Sequence, residues 1–216
     1  MALENTREDK IYASVLSDGK IHVTVPDGTE GAVVRTYEIS DVKTGTKKTG
    51  TKTELVYNQL SGHISDISFY DGDFGKNLVV TVGEPGDKPV ALTLGTASNF
   101  GEDLMKKIPA IDLEQSVILA PYSFEDDKGK KRKGITVTQN GSKVANYFYD
   151  PETKENLHDY PMPPKGKKGK PLSTDEWKMY FTQCRIFLVD YIEERFVTGE
   201  KYAVEANPMQ ADIDKF

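Results

Sequence analysis

The first 150 residues alternate β-branched segments with turn dipeptides, and this alternation restricts the chain to a β-rich fold. Period-two segments lie between Asp-Gly, Asn-Gly and Pro-Gly pairs, which favour tight turns. A short helix is predicted within residues 97–109, ending at Pro109. Strands are predicted near residues 11–17, 20–26, 32–42, 53–70, 76–83, 88–95, 115–125, 134–139 and 142–149. The order fits a small barrel interrupted by one helix, with extra hairpins.

The first hairpin illustrates how a turn sets the facing of side chains. A two-residue turn at Asp18-Gly19 would place Tyr12 opposite Val25, on one face with Leu16. Tyr12 is therefore predicted to lie in the core.

The last predicted hairpin turns at Asn140-Gly141, the dipeptide favoured in type I′ turns because both central residues need positive φ. Val137 then lies opposite Val144, on an apolar face that Phe148 extends. The opposite face carries Thr136, Thr138, Lys143, Ala145, Tyr147 and Tyr149. Two tyrosines beside a lysine would form a platform for base stacking. The alternative is that both rings pack under a loop or under the C-terminal helix.

The remainder of the chain divides into three parts. Residues 151–172 form a proline- and lysine-rich connection that is expected to be mobile, between a β domain over residues 1–150 and a helix over residues 173–198. Ser173 and Glu176 have capping-box spacing at the start of that helix. Its apolar stripe should pack on the β domain, with Cys184 as a small core residue. Residues 199–216 are expected to be a disordered acidic tail.

Charge is unevenly distributed along the chain. The net charge is −6, and nine acidic against five basic side chains from Leu172 onward supply most of it. Basic residues cluster in three loops, VKTGTKKTGTK at 42–52, KGKKRK at 128–133 and KGKKGK at 165–170. A nearly neutral body with basic loops is compatible with binding to phosphates.

The sequence contains no recognised catalytic constellation. His22, His63 and His158 lack the spacing that brings two imidazoles to one metal, and the single Cys184 lies within a helix stripe. The DGDFG string at 71–75 lacks the other kinase motifs and the twelfth ligand of a calcium loop, so it is interpreted as a turn. We therefore predict a protein that is not an enzyme, with neither metal nor cofactor.

Aromatic strands next to basic loops are the arrangement that a single-strand groove requires, with cations along the phosphates and rings under the bases. A second aromatic group surrounds the DGDFG turn, where alternation assigns Phe69 to the core and Tyr70 and Phe74 to the surface. The predicted nucleic-acid-binding residues are Lys47, Lys48, Lys52, Tyr70, Phe74, Lys76, Lys131, Arg132, Lys133, Lys143, Tyr147 and Tyr149.

The chain resembles phage replicative single-stranded DNA-binding proteins through the stretches ISDISFYDGDFGKNLVVTV, IPAIDLEQSVILAPYSF and GITVTQNGSKVANYFY and the ending MQADIDKF. The resemblance covers roughly residues 60–150 plus the terminus and implies one OB-fold with extra elements. It also implies an acidic tail whose terminal aromatic docks on replication proteins and competes with DNA. Asp212, Asp214 and Phe216 match that tail, while Lys215 departs from it by reducing its charge.

The main hypothesis is a protein that coats single-stranded DNA without sequence preference during phage replication or recombination. The expected partners are the strand itself and replication proteins at the tail, and a homodimer is left open. A cytoplasmic location is expected, because the sequence has neither a signal peptide nor an apolar run long enough to span a membrane. Two alternatives stand beside it, a β-rich phage structural or assembly protein without nucleic-acid binding and an enzyme that uses dispersed carboxylates with a metal.

Overall fold

A computed structural model describes residues 10–40, 47–166 and 171–197 and confirms a mainly β protein with one short internal helix and one long C-terminal helix. Most of the chain folds into one mixed sheet of ten strands. The strands are β1 Ile11–Val15, β2 Ile21–Thr24, β3 Val33–Ser40, β4 Lys47–Tyr57, β5 Leu60–Gly72, β6 Gly75–Gly83, β7 Val90–Gly95, β8 Val117–Glu125, β9 Lys131–Gln139 and β10 Ser142–Lys143.

The strands lie in the order β10-β9-β8-β5-β6-β7-β1-β2-β4-β3. Among the described strands only β1 and β7 pair in parallel, and every other neighbouring pair is antiparallel. β5 is the longest strand, with 13 residues, and it pairs with β8 through its first residues and with β6 through the rest. Across the described residues the sheet is open and no closed barrel is formed.

The first helix, α1, spans Asn99–Met105 and closes one side of the core. It begins where Ser98 Oγ accepts a hydrogen bond from the Gly101 amide at 3.0 Å. Leu104 and Met105 are fully buried among strand residues, and Pro109 follows in a short 3₁₀ turn over Ile108–Ala110. The predicted helix is confirmed, but it ends at Met105, before Pro109, which lies within the 3₁₀ turn.

The second helix, α2, spans Thr174–Phe196 and starts with the predicted capping box between Ser173 and Glu176. It packs against α1 and β5, as expected for a helix docked on the β body. Its buried residues are Cys184, Leu188, Val189 and Ile192. The buried part of the stripe therefore begins only at Cys184, near the middle of the helix, and Trp177 and Phe181 are 39% and 48% exposed.

The segment between sheet and helix is more structured than its composition predicted. Strands β11 Tyr149–Asp150 and β12 Glu155–Asn156 form a small separate hairpin. Tyr160 then packs against the core. Part of the predicted mobile connection therefore belongs to the folded body, and the tail from 198 onward lies outside the described residues.

Three strand predictions were wrong in detail. The single strand predicted over 53–70 is two strands, β4 and β5, separated at Asn58-Gln59. Tyr12 is not in the core, because the β1–β2 loop has three residues rather than two: the Leu16 amide bonds Lys20 O at 3.1 Å and Val15 pairs with Ile21. The extra residue shifts the register by one, so Ala13 is buried and Tyr12 is 36% exposed.

The predicted strand over 142–149 is shorter than predicted: β10 pairs with β9 at Ser142–Lys143, and one further bond runs from the Val144 amide to Val137 O at 2.9 Å. Its turn is as predicted, since Asn140 and Gly141 have φ of 52° and 74°. The chain then leaves β9, and the Tyr147 amide bonds Lys106 O on α1 at 2.9 Å. Phe148 enters the core, as predicted, at 1% exposure.

Candidate nucleic-acid interface

A cleft forms where the β1–β2 turn meets the β8–β9 hairpin. Gly19 is buried against the backbone of Tyr122 and Ser123, so closely that a β-carbon at this position would lie 2.3 Å from the Ser123 amide nitrogen. Glycine is therefore required here for two reasons. A β-carbon would not fit, and the φ of +78° is a left-handed conformation that favours glycine. The adjoining cleft, called the basic cleft below, has a volume of about 250 Å³ and is lined by Ser17, Ser123, Phe124, Glu125, Lys131 and Lys133.

The register of β8 and β9 brings the cleft side chains together. Ser123 pairs with Lys133 and Glu125 with Lys131, so these four share one face of the hairpin. Within the described chain neither lysine has an ion pair, and two cations against one carboxylate leave the cleft positive. Phe124 also borders the cleft, but it pairs with Arg132, so its ring lies on the opposite face of the hairpin beside Tyr122, where it is 56% exposed. The cleft thus offers cations and hydroxyls to a ligand, and an exposed ring lies on the other face of the same hairpin.

The loop at the tip of this hairpin is held in place by one carboxylate. Asp126 Oδ1 accepts hydrogen bonds from the Lys128 and Lys130 amides, and Asp126 Oδ2 accepts from Arg132 Nε at 2.9 Å. The amide bonds and the Arg132 guanidinium lower the Asp126 pKa. Arg132, a predicted DNA contact, is therefore engaged in ordering the loop.

A second aromatic group lies on β3 and β4. The Tyr37 ring covers Gly50, while Arg35 and Lys52 lie 5.6 and 5.5 Å from its centroid. Pairing of Arg35 with Lys52 and of Tyr37 with Gly50 places them all on one face. Burial lowers the Lys52 pKa. Lys52 was predicted from the cluster of lysines at 42–52, whereas Arg35 and Tyr37 were missed. Their i, i+2 spacing in VVRTYE could have indicated that they share one face of a strand.

A buried polar chain joins this group to the basic cleft. Glu54, only 3% exposed, accepts two hydrogen bonds from Arg35 at 2.8 Å. His22 lies between Glu54 and Asp18, at 3.0 and 3.1 Å from their carboxylate oxygens. Asp18 belongs to the turn that packs on Ser123. The conformation of the turn is therefore tied to the charge of Glu54.

We expect this chain to make stability fall in acid. Burial raises the Glu54 pKa, but bonds from Arg35 and His22 outweigh burial and lower it below the ordinary value of 4.5. Because the folded pKa is lowered, ionised Glu54 stabilises the fold above about pH 4.5, and this contribution is lost as pH falls through the folded pKa. Urea unfolding at pH 7 should show that Glu54→Gln lowers stability by about 2 kcal/mol. The difference in free energy of unfolding between the variant and the wild type should shrink at acid pH. A difference that stays constant with pH would contradict the stabilising role of ionised Glu54.

The β5–β6 hairpin holds three further predicted residues. Phe74 at its tip is 80% exposed, as predicted, and Tyr70 is partly buried. Lys76 Nζ lies 5.5 Å from the Phe69 ring centroid and donates to Glu193 Oε1 of α2 at 2.5 Å. Lys76 is thus engaged with the helix, and Phe74 is the more available group for a ligand.

The predicted tyrosine platform is not formed, because β10 ends at Lys143. The Tyr147 ring is stacked on His158, with centroids 3.9 Å apart, and it lies beside Tyr191 of α2. This is the alternative in which the ring packs under the C-terminal helix. Tyr149 lies in β11 and is 39% exposed, while Lys143 is exposed on β10.

The remaining predicted residues are dispersed or lie outside the description. Lys47 and Lys48 are exposed at the start of β4, and Lys47 Nζ lies 3.3 Å from Glu38 Oε2. The tail residues Asp212, Asp214 and Phe216 lie outside the described residues. Ser17 was missed because it reaches the cleft from the β1–β2 turn, which is distant in sequence, and Phe124 was missed although it is close to the lysines in sequence.

Within residues 10–40, 47–166 and 171–197, no group of three or more histidine, cysteine or carboxylate side chains is arranged to hold a metal ion. The described helices include none with the length and apolar character to cross a membrane. Comparisons with protein-family models, with curated proteins and with solved structures found no match. Function must therefore be argued from the site itself.

Proposed function

We propose that the protein is a non-catalytic single-stranded DNA-binding protein that coats and protects the strand during phage DNA replication or recombination. The observation that carries the proposal is the basic cleft, where Lys131 and Lys133 share one face of the β8–β9 hairpin, together with the exposed Phe124 ring on the other face of the same hairpin. Lysines attract phosphate oxygens, and an aromatic ring can stack on any base, so such a site binds a strand without sequence preference.

The architecture behind this site is proposed to be a distorted OB-fold. Strand β8 and the β1–β2 turn are far apart in the sheet order, yet Gly19 packs directly on the β8 backbone. A sheet must coil strongly to bring these elements together. An OB-fold is likewise a coiled, partly open barrel that binds oligonucleotides on a strand face and its adjoining loops.

The β3–β4 group extends the proposed path of the strand. Tyr37 offers an aromatic surface next to the cations of Arg35 and Lys52, so this group combines a ring and cations on one face. The chain through Glu54 and His22 connects the two groups. Several such contacts along one strand give the avidity that coating requires. The tail enters the proposal from the sequence resemblance alone, as a contact for replication proteins through Asp212, Asp214 and Phe216.

Titration with oligo-dT at two salt concentrations tests the proposal, with tyrosine and tryptophan fluorescence as the signal. Binding should tighten at low salt, since each phosphate contact contributes a slope of about −0.7 in log affinity against log salt. Single strands should bind better than duplex. Weak binding without salt dependence and without preference over duplex would refute the proposal.

Removing the exposed aromatic ring of the β8–β9 hairpin gives a more local prediction. Phe124→Ala should weaken oligo-dT binding about fivefold, the lower end of the range for one stacked base, because the ring is partly covered. Phe181→Ala, a similarly exposed ring on α2, is the matched control and should leave the affinity unchanged. Equal losses in both variants would contradict a specific role for Phe124.

A β-rich structural or assembly protein is a second candidate, supported by exposed apolar side chains on α2. Those residues are Trp177, Met179, Phe181 and Ile186. Exposed apolar surface of this kind suits docking to a neighbouring subunit. This candidate predicts a large oligomer whose size does not change when nucleic acid is added. Light scattering with and without oligo-dT therefore separates the two functions.

A further inference from the structure

We propose that a second cleft, between α2 and residues 147–159, binds an arginine side chain presented by a basic segment of a partner protein. This cleft, called the acidic cleft below, has a volume of about 530 Å³. It is lined by Tyr147, His158, Asp159, Phe187, Asp190, Tyr191, Glu194 and Arg195. It shares no lining residue with the basic cleft in the described chain, and its charge has the opposite sign.

The floor of the acidic cleft is aromatic. The rings of Tyr147 and His158 are stacked with centroids 3.9 Å apart and planes within 7°. Tyr191 lies 6.1 Å from Tyr147 and 5.9 Å from Phe187. Aromatic faces attract cations, and a planar guanidinium can also stack on them.

The rim of the cleft is acidic. Among the lining residues, the carboxylates of Asp159, Asp190 and Glu194 outnumber the cation of Arg195, and this excess of negative charge disfavours a nucleic-acid phosphate. Asp159 and Asp190 are exposed and have no hydrogen bond or ion pair within the described chain. Available carboxylates beside an aromatic floor match a guanidinium, which can donate two parallel hydrogen bonds to one carboxylate.

The protein already places one guanidinium in this cleft. The Arg195 guanidinium carbon lies 3.7 Å from the Tyr191 ring centroid, and its Nη1 lies 3.9 Å from Glu194 Oε2. This intramolecular contact combines the ring and the carboxylate in the way the proposed ligand would. It is an example within the protein of a guanidinium stacking on this aromatic floor, and it supports arginine as the ligand chemistry.

The backbone at the edge of the cleft has an uncommon conformation. His158 and Asp159 are successive non-glycine residues with φ of 53° and 59°. Positive φ values are uncommon outside glycine, although histidine and aspartate adopt them more readily than most residues, and they persist where local and tertiary contacts hold them. Here they keep the His158 ring on Tyr147 and place Asp159 at the rim.

Calorimetric titration with a blocked pentapeptide that carries two arginines between glycines tests the proposal. At low salt we expect saturable binding with a dissociation constant below about 1 mM. The lysine version should bind at least about threefold more weakly, because an ammonium neither stacks nor donates in parallel. The glutamate version should not bind. Absence of saturable binding to the arginine peptide would overturn the proposal.

A pair of double variants separates the cleft from net charge. Asp190→Asn with Glu194→Gln should weaken peptide binding at least about fivefold, since both carboxylates contribute charge-assisted bonds. Glu30→Gln with Glu114→Gln removes the same charge at exposed positions elsewhere and should have no effect. Equal losses in the two variants would overturn the proposal. Neither pair alters the basic cleft, so failure here would leave oligo-dT binding intact.

Discussion

Replacing Lys131 and Lys133 together with glutamine is expected to weaken oligo-dT binding tenfold to a hundredfold at about 50 mM salt. Both lysines line the basic cleft without an ion pair in the described chain, so their charges are available to phosphates. Losing two phosphate contacts makes the slope of log affinity against log salt smaller by about 1.4. At low salt this difference in slope corresponds to an affinity loss of the size given above. The slope, measured by titration over a range of salt concentrations, is the more specific observable.

The matched control for this pair is Lys154→Gln with Lys178→Gln, which removes the same charge from exposed positions outside the basic cleft. It should change both affinity and slope much less. An unchanged salt slope in the Lys131 and Lys133 variant would show that the cleft does not contact phosphates. Unfolding is not expected, because Lys131 is exposed and Lys133 is only partly buried.

Local signals in the sequence determined those parts of the fold that depend on a few neighbouring residues. The type I′ turn at Asn140-Gly141 and the capping box at Ser173 follow from short-range backbone chemistry. The prediction of the β1–β2 register was wrong for a related reason. One additional loop residue exchanges the two faces of a strand, and Asp18-Gly19 is compatible with loops of either length.

The candidate site was predictable only where charge alone defines it. Lysines clustered at 131 and 133 indicated a basic loop, but Ser17 reaches the same cleft only because Gly19 packs on β8. Tyr147 is the opposite case. Strand alternation predicted that its ring is exposed, but tertiary contacts with His158 and Tyr191 cover it. Which rings remain open to a ligand depends on packing between elements distant in sequence, and no local pattern encodes that.

Phe148→Ala is expected to lower the free energy of unfolding by about 3 to 5 kcal/mol, the usual range for a fully buried phenylalanine. Phe148 is 1% exposed and lies at the junction between the sheet and α2. Its ring meets Tyr191 edge-to-face at 4.9 Å and Phe187 at 5.6 Å. Removal would therefore leave a cavity and also lose aromatic pairs that contribute about 0.5 to 1.5 kcal/mol each.

Urea denaturation monitored by circular dichroism measures this effect, and Phe181→Ala is the control. Phe181 is an aromatic residue of α2 that is 48% exposed, so its loss should change stability by less than about 1 kcal/mol. A loss for Phe148→Ala as small as that of the control would show that α2 is not anchored through this ring. A large loss would instead mean that α2 and the sheet form one cooperative unit, because the Phe148 contacts connect them.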